Sequence, residues 1–278
     1  MEKMTVNKAN KKENKRESKN VTDEIVSRLN KLEAENDVKV LFAIESGSRA
    51  WGFESEDSDY DVRFIYLRPR DWYLDISVEA KRDVIDLPIE KSSGWELDMV
   101  GWDLRKALKL LAKSNPSILE WLSSPVTYRD NPCFVRDIHE LAQSYFSPVS
   151  AFHHYLNMAK KNYRGYLRGE AVRLKKYFYV LRPLLCVRWI MKYETQPPME
   201  FENLLNDLLP DGVLRNEIDA LIVRKRSGLE VDNGKRISAL NDYIELEINQ
   251  LEGVCLSSRS SEKLKDKLNQ LFLDQLAK

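Results

Sequence analysis

The chain of 278 residues has few of the residues that would declare a chemistry outright. It contains three cysteines and three histidines. Cys133, Cys186 and Cys255 are odd in number and far apart, which excludes a disulfide framework or a zinc cage and fits reduced cytosolic thiols. His139, His153 and His154 have no metal-ligand spacing. No apolar run reaches the length of a membrane span. The opening segment MEKMTVNKANKKENKRESKN lacks the apolar stretch of a secretory signal. A cytoplasmic protein without membrane association is expected. Formal net charge is zero, so overall charge points to no partner. Neither G-x-x-x-x-G-K-[ST] nor G-x-G-x-x-G occurs, which excludes a P-loop and a dinucleotide fingerprint.

What is present is unevenly distributed. Residues 1–20 carry seven Lys/Arg and three Asp/Glu with almost no large apolar side chain, the composition of a disordered basic tail. Ile25, Leu29 and Leu32 recur at helical spacing over 21–35. VKVLFAI (38–44) and DVRFIYL (61–67) read as buried strands. RDVIDLPI (82–89) and GWELDMVG (94–101) read as shorter strands joined by EKSSG, a loop of hairpin length. Asp103, Asn115-Pro116 and Asn131-Pro132 each open a helix. From about Ser150 onward the segments 151–168, 170–192, 200–209, 211–226, 236–251 and 260–276 are all helical in pattern, with a kink expected at Pro183. Strands confined to the first hundred residues predict an α+β domain over 21–148 followed by an all-helical domain over 149–278.

The informative stretch is Ile44 to Gly52, ESGSRAWG after a strand, followed by Ser58-Asp59-Tyr60-Asp61-Val62. Gly47 lacks a Cβ, so a phosphate can approach its backbone. Ser48 offers a hydroxyl, and the turn into a short helix presents N–H groups that favour anions. Asp59 and Asp61, at i and i+2 by a strand, put two carboxylates on one face. Such a pair stays ionised beside a cation, and Mg²⁺ is suited to a few carboxylates completed by substrate phosphates. An EF-hand counted from Asp57 fails, because its sixth position is Val62 and its twelfth Arg68. Asp98, between apolar Leu97 and Met99, is a costly residue unless paired or metal-bound, and Asp86 in VIDLP has similar surroundings.

A Gly-Ser pair, about ten residues, then D-x-D and apolar residues resembles the signature of the DNA polymerase β-like nucleotidyltransferase superfamily. GSRAWG…SDYDVRFIY with DLRKALKLLAKSNPSILEWLSSP (103–125) is similar, more narrowly, to the RlaP/YcgL group of RNA-repair-pathway nucleotidyltransferases. The resemblance implies a small mixed sheet with helices and a helical domain covering the nucleotide. It implies that Gly47 and Ser48 bind NTP phosphates, with ATP among the candidates. Asp59 and Asp61 would hold two Mg²⁺ (or Mn²⁺), with Asp98 as third ligand and Asp86 as its alternative. An acceptor hydroxyl would attack the α-phosphate and release pyrophosphate.

Residues 151–192 add ten Lys/Arg against one acid, Glu170, interleaved with tyrosines and Trp189, a composition suited to a polyanion with stackable bases. Lys160, Lys176 and Arg182 are candidates there for covering the nucleotide. Arg49 is a further candidate for a phosphate, with Glu45 or Asp57 as rival partners. An RNA 3′ end is the first expectation for the acceptor. A protein or small-molecule acceptor, or a binding module without turnover, are the alternatives.

Overall fold

The computed structural model describes residues 21–92, 95–228, 233–254, 256 and 265–278. The expected disordered tail over 1–20, Ser93-Gly94 of the expected hairpin loop and Cys255 lie outside the described residues. In chain order the elements are a helix over 21–36 (α1), β1 (Lys39–Glu45), α2 (Gly47–Trp51), β2 (Tyr60–Leu67), α3 (Arg70–Tyr73), β3 (Val84–Asp86), β4 (Glu90–Ser92), β5 (Trp95–Asp103), α4 (Leu104–Leu111), α5 (Pro116–Leu122), β6 (Thr127–Asp130) and α6 (Pro132–Tyr145). There follow α7 (Pro148–Tyr166), β7 (Ala171–Val172), α8 (Phe178–Tyr193), α9 (Phe201–Leu208), α10 (Val213–Arg226), β8 (Gly234–Lys235), α11 (Ser238–Glu252) and α12 (Lys265–Leu276).

The fold is α+β, as the strand segregation predicts. The main sheet runs β3-β5-β2-β1-β6, with β4 also paired to β5. Only β2 and β5 run parallel in it; the other pairings are antiparallel. Alternation of side chains sends the two sheet faces into separate cores. Val62, Phe64 and Tyr66 face Ile25, Leu29 and Leu32 of α1. Ile65 and Leu67 face the layer of α4, α5 and α6. Asp103, Asn115 and Asn131 cap α4, α5 and α6 through their side-chain oxygens, with Pro at the start of the last two.

Four features differ from the sequence expectation. Past the first hundred residues, β6 adds an edge strand beside β1. EKSSG is not only a loop, because Glu90–Ser92 form β4 against β5. The helical part contains a two-residue ladder, β7 with β8. The last helix leaves the unit expected over 149–278: Leu268 and Leu271 of α12 are buried with Leu104, Leu108 and Leu111, and Phe272 meets Tyr73 edge-on at 5.0 Å. Its apolar stripe is satisfied on the α4/α6 face of the sheet domain. Elsewhere α7 to α11 build their own core, entered from the sheet domain by Phe53.

Sheet closure depends on one small residue. Phe64 lies opposite Gly101 in the β2–β5 register, and a Cβ on Gly101 would stand 2.0 Å from the Phe64 ring. Gly101→Ala is expected to cost about 1–3 kcal/mol by overpacking, read as a lower urea midpoint. Adding Phe64→Leu should return part of that loss, and a midpoint unmoved by Gly101→Ala would refute this packing account.

Candidate active site

The parallel β2–β5 pairing places Asp61 opposite Asp98. Asp86 lies one strand further out, opposite Val100, and is exposed. Between Asp61 and Asp98 sits Arg63, two residues along the same face of β2. Its guanidinium donates to Asp61 Oδ1 at 3.1 Å and to Asp98 Oδ2 at 2.8 Å. The other terminal nitrogen donates to the carbonyls of Val62 and Asp98 at 3.0 and 3.1 Å. This one side chain is the counter-charge that lets two carboxylates share a strand pair.

Asp61 is held from its other side by Glu45. The buried Glu45 carboxylate accepts the Asp61 N–H at 2.8 Å and the Tyr128 hydroxyl. Burial pushes Glu45 up to about 7, against the pull of those two donors. Burial also raises Asp61 above the usual carboxylate range, opposed by Arg63 and reinforced by Asp98 and Asp59. Asp59 is raised by burial and by Glu96, while Lys175, Lys225 and Lys91 oppose the shift.

Gly47 has a different reason from the one its sequence context suggests. Its φ is +61°, in the left-handed region, and a Cβ there would fall 2.0 Å from Asp61 Oδ2. The missing side chain admits the Asp61 carboxylate to the turn. Arg49 meets neither Glu45 nor Asp57 through a hydrogen bond. It donates to the carbonyls of Ser58 and Asp59 at 2.7 and 3.2 Å and lies 3.8 Å over the Tyr60 ring. It thereby braces the loop that carries Asp59.

The helical layer closes over this wall. Phe53 stacks on Phe178 at 4.6 Å and meets Phe201 at 5.8 Å, while Trp51 lies edge-on to Tyr179 at 5.3 Å. A cavity of about 400 Å³ remains between the layers. Ser48, Asp59 and Asp61 line one side, and Lys175, Lys176 and Lys225 the other. Lys225 Nζ donates to Ser55 Oγ and Ser58 Oγ at 2.9 and 3.2 Å. Burial lowers the pKa of Lys176, with Lys175 and Arg173 adding to the effect.

Of the expected nucleotide-facing helical residues, only Lys176 lines this cavity. Arg182 is 2% exposed; it pairs with Glu120 at 2.6 Å and donates to the Met199 carbonyl. Its cationic group is spent inside the helical core, where it also underlies Trp51 at 4.9 Å. Lys160 lies in a separate groove, paired with Glu252 at 2.5 Å. Residues that sequence reasoning missed are Arg63, Glu45, Ser55, Lys175 and Lys225. Arg63 had a signal, a charge in an apolar strand at period two from Asp61. Lys225 had none, being 170 residues from Ser55.

Asp59, Asp61 and Asp98 offer oxygen donors of the kind a hard divalent cation takes. Among the described residues, no three His, Cys, Asp or Glu are gathered tightly enough to enclose an ion. Asp59, Asp61 and Asp98 are the residues that would hold such an ion, and it would need further ligands from outside this set. Cys133 is exposed and Cys186 buried, both as free thiols, and neither lies in the wall. No helix among the described residues is long and apolar enough to cross a membrane.

A Gly-Ser turn set against in-register aspartates of a mixed sheet, roofed by helices, defines a polymerase β-like nucleotidyltransferase fold. The chain matches the model of the RlaP family, described as the RNA repair pathway DNA polymerase beta family, over residues 21–274, and it belongs to that family. It is 44% identical over 251 residues to a Bacillus subtilis (strain 168) protein named "Uncharacterized protein YcgL", covering 90% of this chain and 94% of that one. It is also similar to the crystal structure of a nucleotidyltransferase-like protein from Exiguobacterium sibiricum 255-15, at 9% identity and a TM-score of 0.31, over 91% of this chain and 89% of that one.

The two ion pairs of Arg63 involve side chains that are 18% exposed for Arg63 and 28–29% for the aspartates. With that exposure discounted, Arg63→Met should lose about 1–3 kcal/mol of unfolding free energy in metal-free buffer. Adding Asp98→Asn should recover part of it, because one of two uncompensated carboxylates is then gone. Equal urea midpoints for wild type and Arg63→Met would show that the guanidinium carries no such load.

Proposed function

We propose that this protein is a metal-dependent nucleotidyltransferase that moves an NMP group from an NTP to a hydroxyl of an RNA end. The observation that carries the reading is Asp59 and Asp61, the latter in register with Asp98, facing Lys176 and Lys225 across one cavity. Carboxylates on one wall and ammonium groups on the other suit a substrate that is itself a polyanion bridged by cations. Ser48, Lys176 and Lys225 are assigned to the triphosphate, with Gly47 shaping the turn beneath it. Arg49 fixes the Asp59 loop and acts on substrate only through it.

Mg²⁺ bound by Asp59, Asp61 and Asp98 would supply charge neutralisation at the α-phosphate and acidify the acceptor hydroxyl. The chain's own residues orient the reactants. The acceptor oxygen forms a bond to the α-phosphorus, and the bond from that phosphorus to the bridging oxygen breaks. Pyrophosphate leaves with the electron pair, and the acceptor proton passes to the carboxylate wall, where Asp98 is the assigned residue. The RNA acceptor is favoured by the exposed Arg164, Tyr166, Arg168 and Tyr179 of the segment 151–192 and by the family's description as an RNA repair pathway family.

Pyrophosphate release with Mg²⁺ and mixed NTPs, in parallel with RNA, protein and small-molecule acceptors, tests this reading. RNA should give the product. Asp59→Asn and Asp61→Asn should each lower the rate on the order of 10³-fold, the scale of losing a metal's charge stabilisation. EDTA should abolish it. Full activity in either aspartate variant would sink the mechanism, and product only with protein or small molecules would replace the RNA acceptor.

A further inference from the structure

A second cavity, of about 490 Å³, lies between α7 and α11, away from the carboxylate wall. Lys160, Arg164, Arg168 and Arg236 line it. The acids beside them are already engaged: Glu252 pairs with Lys160, and Glu245 pairs with Arg236 at 3.4 Å while accepting the Tyr163 hydroxyl. Arg164 and Arg168 have no acidic partner within ion-pair distance among the described residues, and both are exposed. Lys160 and Arg164 are one helical turn apart, so their side chains share a face.

Two exposed rings stand between the end of α7 and the first cavity. Tyr166, at the end of α7, is 41% exposed. Lys176 lies 4.6 Å over its ring and 4.5 Å over that of Tyr179, which is 37% exposed. Arg173 adds a second cation, 6.0 Å over Tyr166. Tyr179 in turn lies close enough to Asp61 and Asp59 for their charge to raise its pKa, after burial. The rings of Tyr166 and Tyr179 thus share Lys176, and Tyr179 adjoins the carboxylates.

We propose that the α7–α11 groove holds backbone phosphates of an RNA acceptor strand, whose end passes Tyr166 and Tyr179 into the cavity beside Asp61. This rests on the RNA-acceptor reading above and names the surface that serves it. Phosphates take the free guanidinium groups of Arg164 and Arg168, and bases stack on the exposed rings. An acidic peptide would use the cations but gain nothing from the ring path, so the combination favours a nucleic acid.

Binding of a fluorescent single-stranded RNA to the full chain, by anisotropy over a salt series, tests the groove. The Arg164→Ala/Arg168→Ala double variant should lose affinity on the order of tenfold, and its log K against log salt slope should shrink by about 1.4, the value for two lost phosphate contacts on a single strand. NTP binding, followed separately by calorimetry, should stay at the wild-type level. Wild-type affinity and slope in the double variant would overturn the proposal. So would a polyglutamate peptide that binds the groove as tightly as the RNA does. A double variant weakened for RNA, in a protein that releases no pyrophosphate under any condition, would uphold the groove and refute the transfer reaction alone.

Discussion

Two carboxylates facing one another across a parallel strand pair repel, and the β2–β5 register gives Asp61 and Asp98 no freedom to separate. Everything around them answers that constraint. Arg63 supplies the nearest positive charge and is itself fixed by two carbonyls of the same strands, so it cannot drift with the side chains it balances. Glu45 holds the Asp61 N–H, and Gly47 vacates the space that the Asp61 carboxylate enters. Glu45 at the end of β1 and Gly47 in the turn after it thus both seat one aspartate. The local cost of like charge is met by geometry that also exposes the remaining oxygens to the cavity.

The segment from Gly47 to Ser58 joins this wall to the helices. It leaves β1, turns back into β2, and in between sends Trp51 and Phe53 into the aromatic surface of α8 and α9. Arg226 at the end of α10 donates to the Gly52 carbonyl at 2.7 Å, and Lys225 ties down Ser55 and Ser58. A loop with so many anchors in the second layer cannot shift without carrying Asp59 along. Arg182 contributes from below, since its ion pair with Glu120 joins α8 to α5 of the sheet domain and supports Trp51 from beneath. The helical layer is therefore part of the site's architecture even where its charged groups never meet substrate.

The sequence made much of this legible because the informative relations are short. Asp59 and Asp61 are two apart, Gly47 and Ser48 adjoin the strand end, and the capping residues Asp103, Asn115 and Asn131 stand directly before their helices. Period-two and 3.6-residue patterns carried the strands and helices for the same reason. Relations across long separations were not legible. Arg182 reads as a cation misplaced in VLRPLLCV, and only the fold reveals Glu120, 62 residues earlier, as its partner. The α12 stripe reads as a packing surface, but its destination on α4 and α6 depends on the return of the chain. Gly47 stands out in the sequence for its missing Cβ, yet the atom that fills the gap belongs to Asp61, which pattern alone places on a different element.

The cavity persists although its walls carry opposite charges, and the reason lies in how each charge is already held. Asp61 and Asp98 have Arg63. Lys225 has two hydroxyls, and Lys176 has two aromatic faces. Direct pairing across the gap would trade these contacts for ion pairs and collapse the space. Hydroxyls and rings are weak, uncharged partners for an ammonium, so exchanging them for a phosphate breaks no salt bridge and gains a charge-assisted one. The carboxylates hold oxygens not used by Arg63, and under the proposed function a divalent cation would add charge to those without displacing it. The proposed substrate, a polyanion accompanied by cations, would improve the partners on both walls together, which a neutral metabolite or a lone anion would not.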